Sequence, residues 1–206
     1  MLKNEKIITV GITGASGIIY GLRLLEVLIR EGVRIYLIVS KAARIVLEAE
    51  QDLKVPERAE EASVFFTMRF AAAEGRIKVF SSDDWFSPVA SGSGAPKQMI
   101  ICPCTAGTLA SIAHGLSDNL LEPAADVVMK ERDQLIVVPR KMPLSTLHLE
   151  NMLKLSRRGV TIIPAAPAFY NIPKTVEDLV DSVVARILDH VQVEHNLVSS
   201  WGIDKE

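Results

Sequence analysis

Three short stretches of this chain gather glycines and hydroxyls in the way an anion site requires. The first is "GITGASG" (11–17), with Gly11, Gly14 and Gly17 enclosing Thr13 and Ser16 between the apolar run Ile7, Ile8, Val10 and a helix-like segment. A strand that breaks into a glycine turn and then a helix presents the unpaired backbone N–H groups of the helix start, and such a turn favours an anion. "ASGSGAP" (90–96) offers Ser91 and Ser93 among glycines that allow close backbone approach, and "CPCTAGT" (102–108) puts Thr105 at a helix N-cap with Thr108 one turn on. The first turn is not a dinucleotide fingerprint. Its spacing is G-x-x-G-x-x-G, and the second strand ends in Ser40-Lys41 where an acidic grip on a ribose would stand. Small hydroxyls and a cation suit a phosphate or a flavin edge. Each loop singly also reads as a packing glycine, a cap or a solvated turn; all of them at strand ends exceed what packing needs.

Charged residues near the same strand ends add to the pattern. Arg140 follows the run "QLIVVP" directly, where a guanidinium fork suits a phosphate, and Glu50 lies one helix after Ser40. Lys130 ends "AADVVMK", Tyr170 sits in "AAPAFYNIP", and Arg186 falls within the mostly apolar pattern of "VEDLVDSVVARILDHV". A lysine at a helix C-terminus also has a plain macrodipole role. Cys102 and Cys104 with four histidines (His114, His148, His190, His195) complete no tetrahedral metal set, so the thiols read as structural and no metal is expected. His190 and His195 read as solvated, and His148 as a satisfied or exposed helical histidine.

The elements that must position these groups alternate between β-branched runs and amphipathic stretches. Strands are predicted over 6–12, 34–40, 76–80, 98–103, 134–139 and 160–164, and helices over 17–32, 41–51, 105–115, 119–131, 145–159 and 174–191. Val- and Ile-rich strands between helices predict an α/β fold in three layers, a mostly parallel sheet covered on both faces with its site at the carboxyl ends of the strands. Residues 52–95 are the least regular part, with a strand over 76–80 and an ordered or ligand-ordered loop over 81–96, and the tail from about 192 docks on the chain itself or on a neighbouring subunit. The 206 residues, 49% of them hydrophobic, suit one domain spanning 1–206. A net charge of −2 supplies no global field for nucleic acid or anionic lipid. "MLKNEKIITV" lacks the apolar core of an export signal and no run is long enough to span a membrane, so a cytoplasmic location is expected, with no membrane or nucleic-acid partner.

"GITGASGIIYGLRLLEVL", "SKAA", "ASGSGAP", "CPCTAGTLASIAHGLSDNLL", "AADVVMKER" and the long run from "PLSTLHLENML" through "PAAPAFYNIPKTVEDLVDSVVARILD" together resemble the flavin prenyltransferases, formerly called aromatic acid decarboxylases. The likeness runs from about residue 6 to residue 203. It implies a flavodoxin-like, Rossmann-like fold assembled as a homo-oligomer, a dodecamer, with FMN held where subunits meet. The implied reaction joins the dimethylallyl group of dimethylallyl phosphate to N5 and C6 of reduced FMN. Its product, prenylated FMN, serves a partner decarboxylase, commonly in ubiquinone biosynthesis. By matching position, Gly14, Ala15, Ser16, Ser40, Thr105, Ala106, Gly107, Thr108 and Arg140 are implied to bind FMN. Lys130, Tyr170 and Arg186, helped by Gly92, are implied to hold the prenyl phosphate, with Trp85 and Trp201 walling the allyl group. Ionising an allylic phosphate needs cations on the leaving group and apolar or aromatic surface around the allyl cation, which this set supplies. Ser16 with Glu50 makes a proton relay in which the carboxylate is the base. Ser16, Glu50 and Lys130 are thus the catalytic candidates.

Two positions depart from the family pattern. The chain has Pro123 in "EPAAD" where an arginine is usual, and Lys141 in "PRK" where a glutamate is usual. A cation is lost and a carboxylate becomes a cation, which predicts slower phosphate release or use of a dimethylallyl diphosphate donor. Two other functions fit parts of the sequence: a carrier that stores FMN or prenylated FMN, and a flavin-dependent cysteine decarboxylase sharing the first glycine turn. "PAFY" and Arg186 count against the latter.

Overall fold

The computed structural model describes residues 5–198. Six strands, β1 (Ile7–Ile12), β2 (Arg34–Val39), β3 (Ile77–Phe80), β4 (Gln98–Cys104), β5 (Gln134–Pro139) and β6 (Thr161–Ile162), form one sheet in the order β3-β2-β1-β4-β5-β6. Every pairing is parallel. Strand order reverses between β1 and β4, the point where crossovers leave to opposite faces and open a crevice at the carboxyl ends.

The period-2 pattern of the strands divides the core. Ile8, Val10 and Ile12 of β1, with Ile35, Leu37 and Val39 of β2 and Ile136 and Val138 of β5, face one layer of helices. Against them lie α1 (Ile18–Arg30), α2 (Lys41–Gln51), α3 (Ala59–Arg69) and α7 (Val176–His190). Met99, Ile101, Leu135 and Val137 face the opposite way, onto α4 (Ala106–His114), α5 (Leu121–Lys130) and α6 (Thr146–Ser156). Apolar residues on both sides of each central strand are what a sheet buried on both faces demands.

Helix α3 has no counterpart among the elements the sequence predicts, and it lies in the first part of 52–95, the least regular stretch. Its apolar residues do not gather into one stripe: Ala62 and Phe66 are buried while Val64 and Met68 are exposed. Periodicity therefore carries little signal there. Within 81–96 the chain is ordered by turns and a short 3₁₀ stretch at Pro88–Ala90, with Ser87 and Val89 buried. His148 is a satisfied helical histidine, as its place in the sequence predicts. Its Nδ1 accepts from the Ser145 N–H at 3.1 Å while its own N–H donates to Ser145 Oγ at 3.3 Å, a capping box at the start of α6.

Candidate functional site

The β1–α1 turn is built around one buried hydroxyl. Thr13, almost fully buried, donates from Oγ1 to the Pro103 carbonyl at 2.8 Å and accepts the Thr105 N–H at 2.8 Å. This bolts the first glycine loop to the loop after β4, the two sides of the switch point. Gly14 passes so close to α2 that a Cβ there would stand 2.5 Å from Ala42 Cβ and 2.9 Å from its carbonyl carbon. Gly17 sits at φ +91°, in the left-handed region that glycine enters without strain.

As the N-cap of α1, Gly17 has no side chain to satisfy the helix start, and Glu50 does so from α2. Its carboxylate accepts the Gly17 N–H at 3.0 Å and the Ile18 N–H at 3.1 Å. Partial burial alone would raise the Glu50 pKa. Hydrogen bonds from the Ser16 side chain and from the Ile18 and Gly17 amides, with the nearby Arg140 charge, outweigh burial and hold it below its ordinary value. Glu50, expected to pair with Ser16, is thus a carboxylate ionised at neutral pH that caps the helix start just after Ser16. Arg140 closes this corner, donating from Nε to the Ser16 carbonyl at 3.1 Å.

Two further helix starts face the same crevice. Ser40 caps α2, its Oγ accepting from the Ala43 N–H at 3.1 Å. Thr105 caps α4 by accepting the Thr108 N–H at 3.0 Å, and its hydroxyl donates to Thr108 Oγ1 at 2.9 Å. That donation leaves the Thr108 hydroxyl proton free to turn outward. Ala106 and Gly107 supply first-turn amides that have no acceptor within the helix. Between these groups lies a cavity of about 360 Å³, walled by Thr13, Gly14, Ser40, Lys41, Thr105 and Thr108. Its size falls in the range of small-molecule and cofactor sites.

The cavity has walls that the sequence reading overlooked: Ser82 and Asp83 just after β3, and Asp118 and Asn119 ahead of α5. Buried Glu122 braces the latter, accepting from the Asp118 N–H and from Asn119 Nδ2 at 3.0 Å. Position after a strand was the signal available for Ser82 and Asp83; nothing local marks Asn119.

Other candidates lie elsewhere. The loop "ASGSGAP" precedes β4 and so stands at the opposite edge of the sheet, where a Cβ on Gly92 would meet Glu131 Oε1 at 2.9 Å and Lys130 Nζ at 3.4 Å. Its anion nest is partly spent, because the amides of Gly94 and Ala95 both turn onto the Ser91 carbonyl. The expectation that this loop joins the two others at the strand ends is thus corrected within a single chain. Arg186 is not on the apolar side of α7: it emerges exposed between buried Ala185 and Ile187 and pairs with Asp189 at 2.8 Å. Tyr170 is exposed on the loop ahead of α7, which is tied to that helix by the Ala168 N–H donating to Ser182 Oγ at 3.1 Å. Trp85 is half exposed in the 81–96 loop, and Trp201 lies outside the described residues.

Cys102 and Cys104 are buried and unbonded to each other; burial pushes both thiols up, Cys104 to about 12, so neither is a nucleophile at neutral pH. His195, expected to be solvated, is nearly buried, with Nε2 3.0 Å from Asp189 Oδ1. Among the described residues no group of three or more His, Cys, Asp or Glu side chains is placed to hold a metal ion, and no helix is long and apolar enough to cross a membrane.

A three-layer parallel α/β sheet with an anion-seeking cavity at its switch point defines a doubly wound protein of the flavodoxin-like, Rossmann-like class. The flavoprotein family profile matches residues 1–188. The flavin prenyltransferase UbiX of Pseudomonas aeruginosa is 50% identical over 195 residues, covering 95% of this chain and 93% of that protein. By these matches the chain belongs to the flavin prenyltransferases within the flavoprotein family. Among solved structures, AnUbiX (PadA1) in complex with FMN and dimethylallyl pyrophosphate superposes with a TM-score of 0.85 at 35% identity, covering 96% of this chain and 98% of that one. A dodecameric FMN-dependent UbiX-like decarboxylase from Escherichia coli O157:H7 superposes with a TM-score of 0.82 at 42% identity over 95% and 98% of the two chains.

Proposed function

We propose that this chain is a flavin prenyltransferase that binds reduced FMN in the cavity between Gly14, Ser40 and Thr108 and alkylates it with a dimethylallyl phosphate. The observation that carries the reading is the convergence of two helix N-termini, those of α2 and α4, and the glycine turn at Thr13–Gly14 on one cavity at the switch point. The family membership and the FMN complex of a relative support it. Gly14, Ala15 and Ser16 line the turn, while Ser40, Thr105, Thr108 and the amides of Ala106 and Gly107 offer donors to an anionic group. Arg140 fixes the turn from the far side.

In the reaction, the allylic C–O bond breaks and its electron pair leaves with the phosphate, the freed carbon bonds to N5, and the remaining double bond takes up a proton so that its tertiary carbon can bond to C6. Of the two flavin protons given up, one is balanced by that uptake and the other leaves with the phosphate or solvent. Lys130, Arg186 and the Tyr170 hydroxyl neutralise the departing phosphate, Gly92 gives it close backbone approach, and Trp85 and Trp201 shield the allyl cation. Ser16 passes a flavin proton to Glu50. Since Glu50 also caps α1, protonation would loosen the helix start, which favours prompt return of the proton to solvent. No step calls for a metal.

Within one chain none of the phosphate-holding set lines the flavin cavity: Gly92 and Lys130 meet at the β4 entry, Arg186 is on α7 and Tyr170 on the loop before it. Neighbouring copies therefore complete each site, in a dodecamer like that of the Escherichia coli relative. The chain acts as one flavin-binding domain in the cytoplasm and passes prenylated FMN to a decarboxylase. Incubation of FMN-loaded, reduced protein with dimethylallyl phosphate should yield a released flavin heavier by one five-carbon unit in mass spectrometry. Unchanged FMN with both the mono- and the diphosphate donor would overturn the reading in favour of a carrier.

A further inference from the structure

Helix α7 ends in a clamp. The carbonyls of His190 and Val191 are taken by Gln134 Nε2 at 2.9 Å and by Lys6 Nζ, and Gln98 Nε2 reaches Val191 from the start of β4. The chain then reverses through Gln192 at φ +55° and buries Val193, so the following tail leaves from a fixed point. Its next anchor is His195, whose side chain is 9% exposed.

Both ring nitrogens of His195 are engaged. Nδ1 accepts the Leu197 N–H at 3.4 Å, which puts the ring proton on Nε2, facing Asp189 Oδ1 at 3.0 Å. The other carboxylate oxygen, Oδ2, holds Arg186 Nη1 at 2.8 Å. Past His195, Leu197 and Val198 return over Ser182 to the loop 168–173 that carries Tyr170, closing a cavity of about 280 Å³. One imidazole thus ties the guanidinium on α7 to the direction of the tail.

We propose that His195 is a positioning residue for the alkyl-donor site: through Asp189 it fixes the orientation of Arg186, and through Leu197 it directs the tail back along α7 towards the Tyr170 loop. The inference rests on the prenyltransferase reading for the role of Arg186 in holding a phosphate monoester. An exposed Arg–Asp pair one turn apart is weak and leaves arginine many orientations. A carboxylate already held by a nearly buried imidazole presents its second oxygen in one place. Arg186 then meets the phosphate with less ordering left to do.

Asparagine and glutamine separate the two roles, because Asn can stand in for Nδ1 and Gln for Nε2. On FMN-loaded protein, His195→Ala and His195→Asn should raise the KM for dimethylallyl phosphate, and its calorimetric Kd, by about five-fold, with kcat and FMN affinity held within about two-fold. His195→Gln should restore the KM. Hydrogen exchange of the 192–198 peptide should accelerate in His195→Ala and His195→Gln and stay slow in His195→Asn. An unchanged KM in His195→Ala, or three variants that move together, would overturn the proposal. Wild-type protein that binds no dimethylallyl phosphate would instead sink the donor-site reading, and the exchange pattern would still decide whether His195 holds the tail.

Discussion

The cavity at the strand ends and the patch on α7 carry the same kinds of groups, yet they are made differently. The cavity is a product of topology: a parallel sheet whose order reverses at β1 and β4 brings the turn after β1 and the starts of α2 and α4 to one place, and Thr13 bolts its two halves together. The α7 patch is made of side chains held by each other, exposed Arg186 on Asp189 and Asp189 on the nearly buried His195, beside a loop tied down by Ser182. Backbone geometry fixes the first within one chain. The second has its cation, Arg186, on the surface, where another copy of the chain can use it.

If that contrast is right, substitutions in the cavity should cost flavin and fold together, whereas those on α7 should cost only the donor. The largest effect is expected at Gly14. Gly14→Val places carbon against Ala42 and its carbonyl, overpacking worth about 1–3 kcal/mol, and should lower FMN affinity roughly 10- to 100-fold with a fall in Tm. Next comes the threonine pair. Thr105→Val removes the α4 cap at a cost of about 1 kcal/mol and should lower both Tm and FMN affinity, whereas Thr108→Val should weaken FMN binding with Tm almost unchanged. Equal Tm losses in the two would blur the distinction between cap and ligand donor.

Glu50→Gln should slow prenylation strongly while leaving FMN bound, and it carries a pH signature of its own. The folded-state pKa of Glu50 lies below its unfolded value, so the stabilisation from its capping is present above the unfolded pKa and fades as pH falls through the folded one. The Tm gap between wild type and Glu50→Gln, limited by the exposure of the group, should therefore be open at pH 7 and close in acid below about pH 4. A gap that persists in acid would mean the carboxylate charge is not what caps α1. The smallest effect is expected at Lys141, an exposed side chain after Arg140. Lys141→Glu should shift the kcat/KM ratio towards the monophosphate over the diphosphate donor, with FMN affinity unchanged; an unaltered ratio removes Lys141 from donor choice.

The sequence announced the cavity better than the patch for the same physical reason. Glycines, caps and β-branched runs are local signals, and Gly14, Ser40 and Thr105 could be read from their immediate neighbours. Long-range effects left no such trace. Glu50 reaching back to cap α1, Asn119 held by Glu122, and His195 drawn in by Asp189 depend on contacts the chain makes only once folded. The displaced "ASGSGAP" loop has the same cause, since its composition suits an anion wherever it stands and only the sheet direction puts it at the opposite edge. Helix α3 was hidden because its apolar residues are spread around its circumference.

The most direct test is a crystal structure of the protein soaked with FMN. The account predicts flavin density in the cavity between Gly14, Ser40 and Thr108, with Arg186 and Lys130 of a different subunit nearer to the isoalloxazine than those of the same chain. Density at any other place, or a complete set of cations supplied by the chain that holds the flavin, would contradict it.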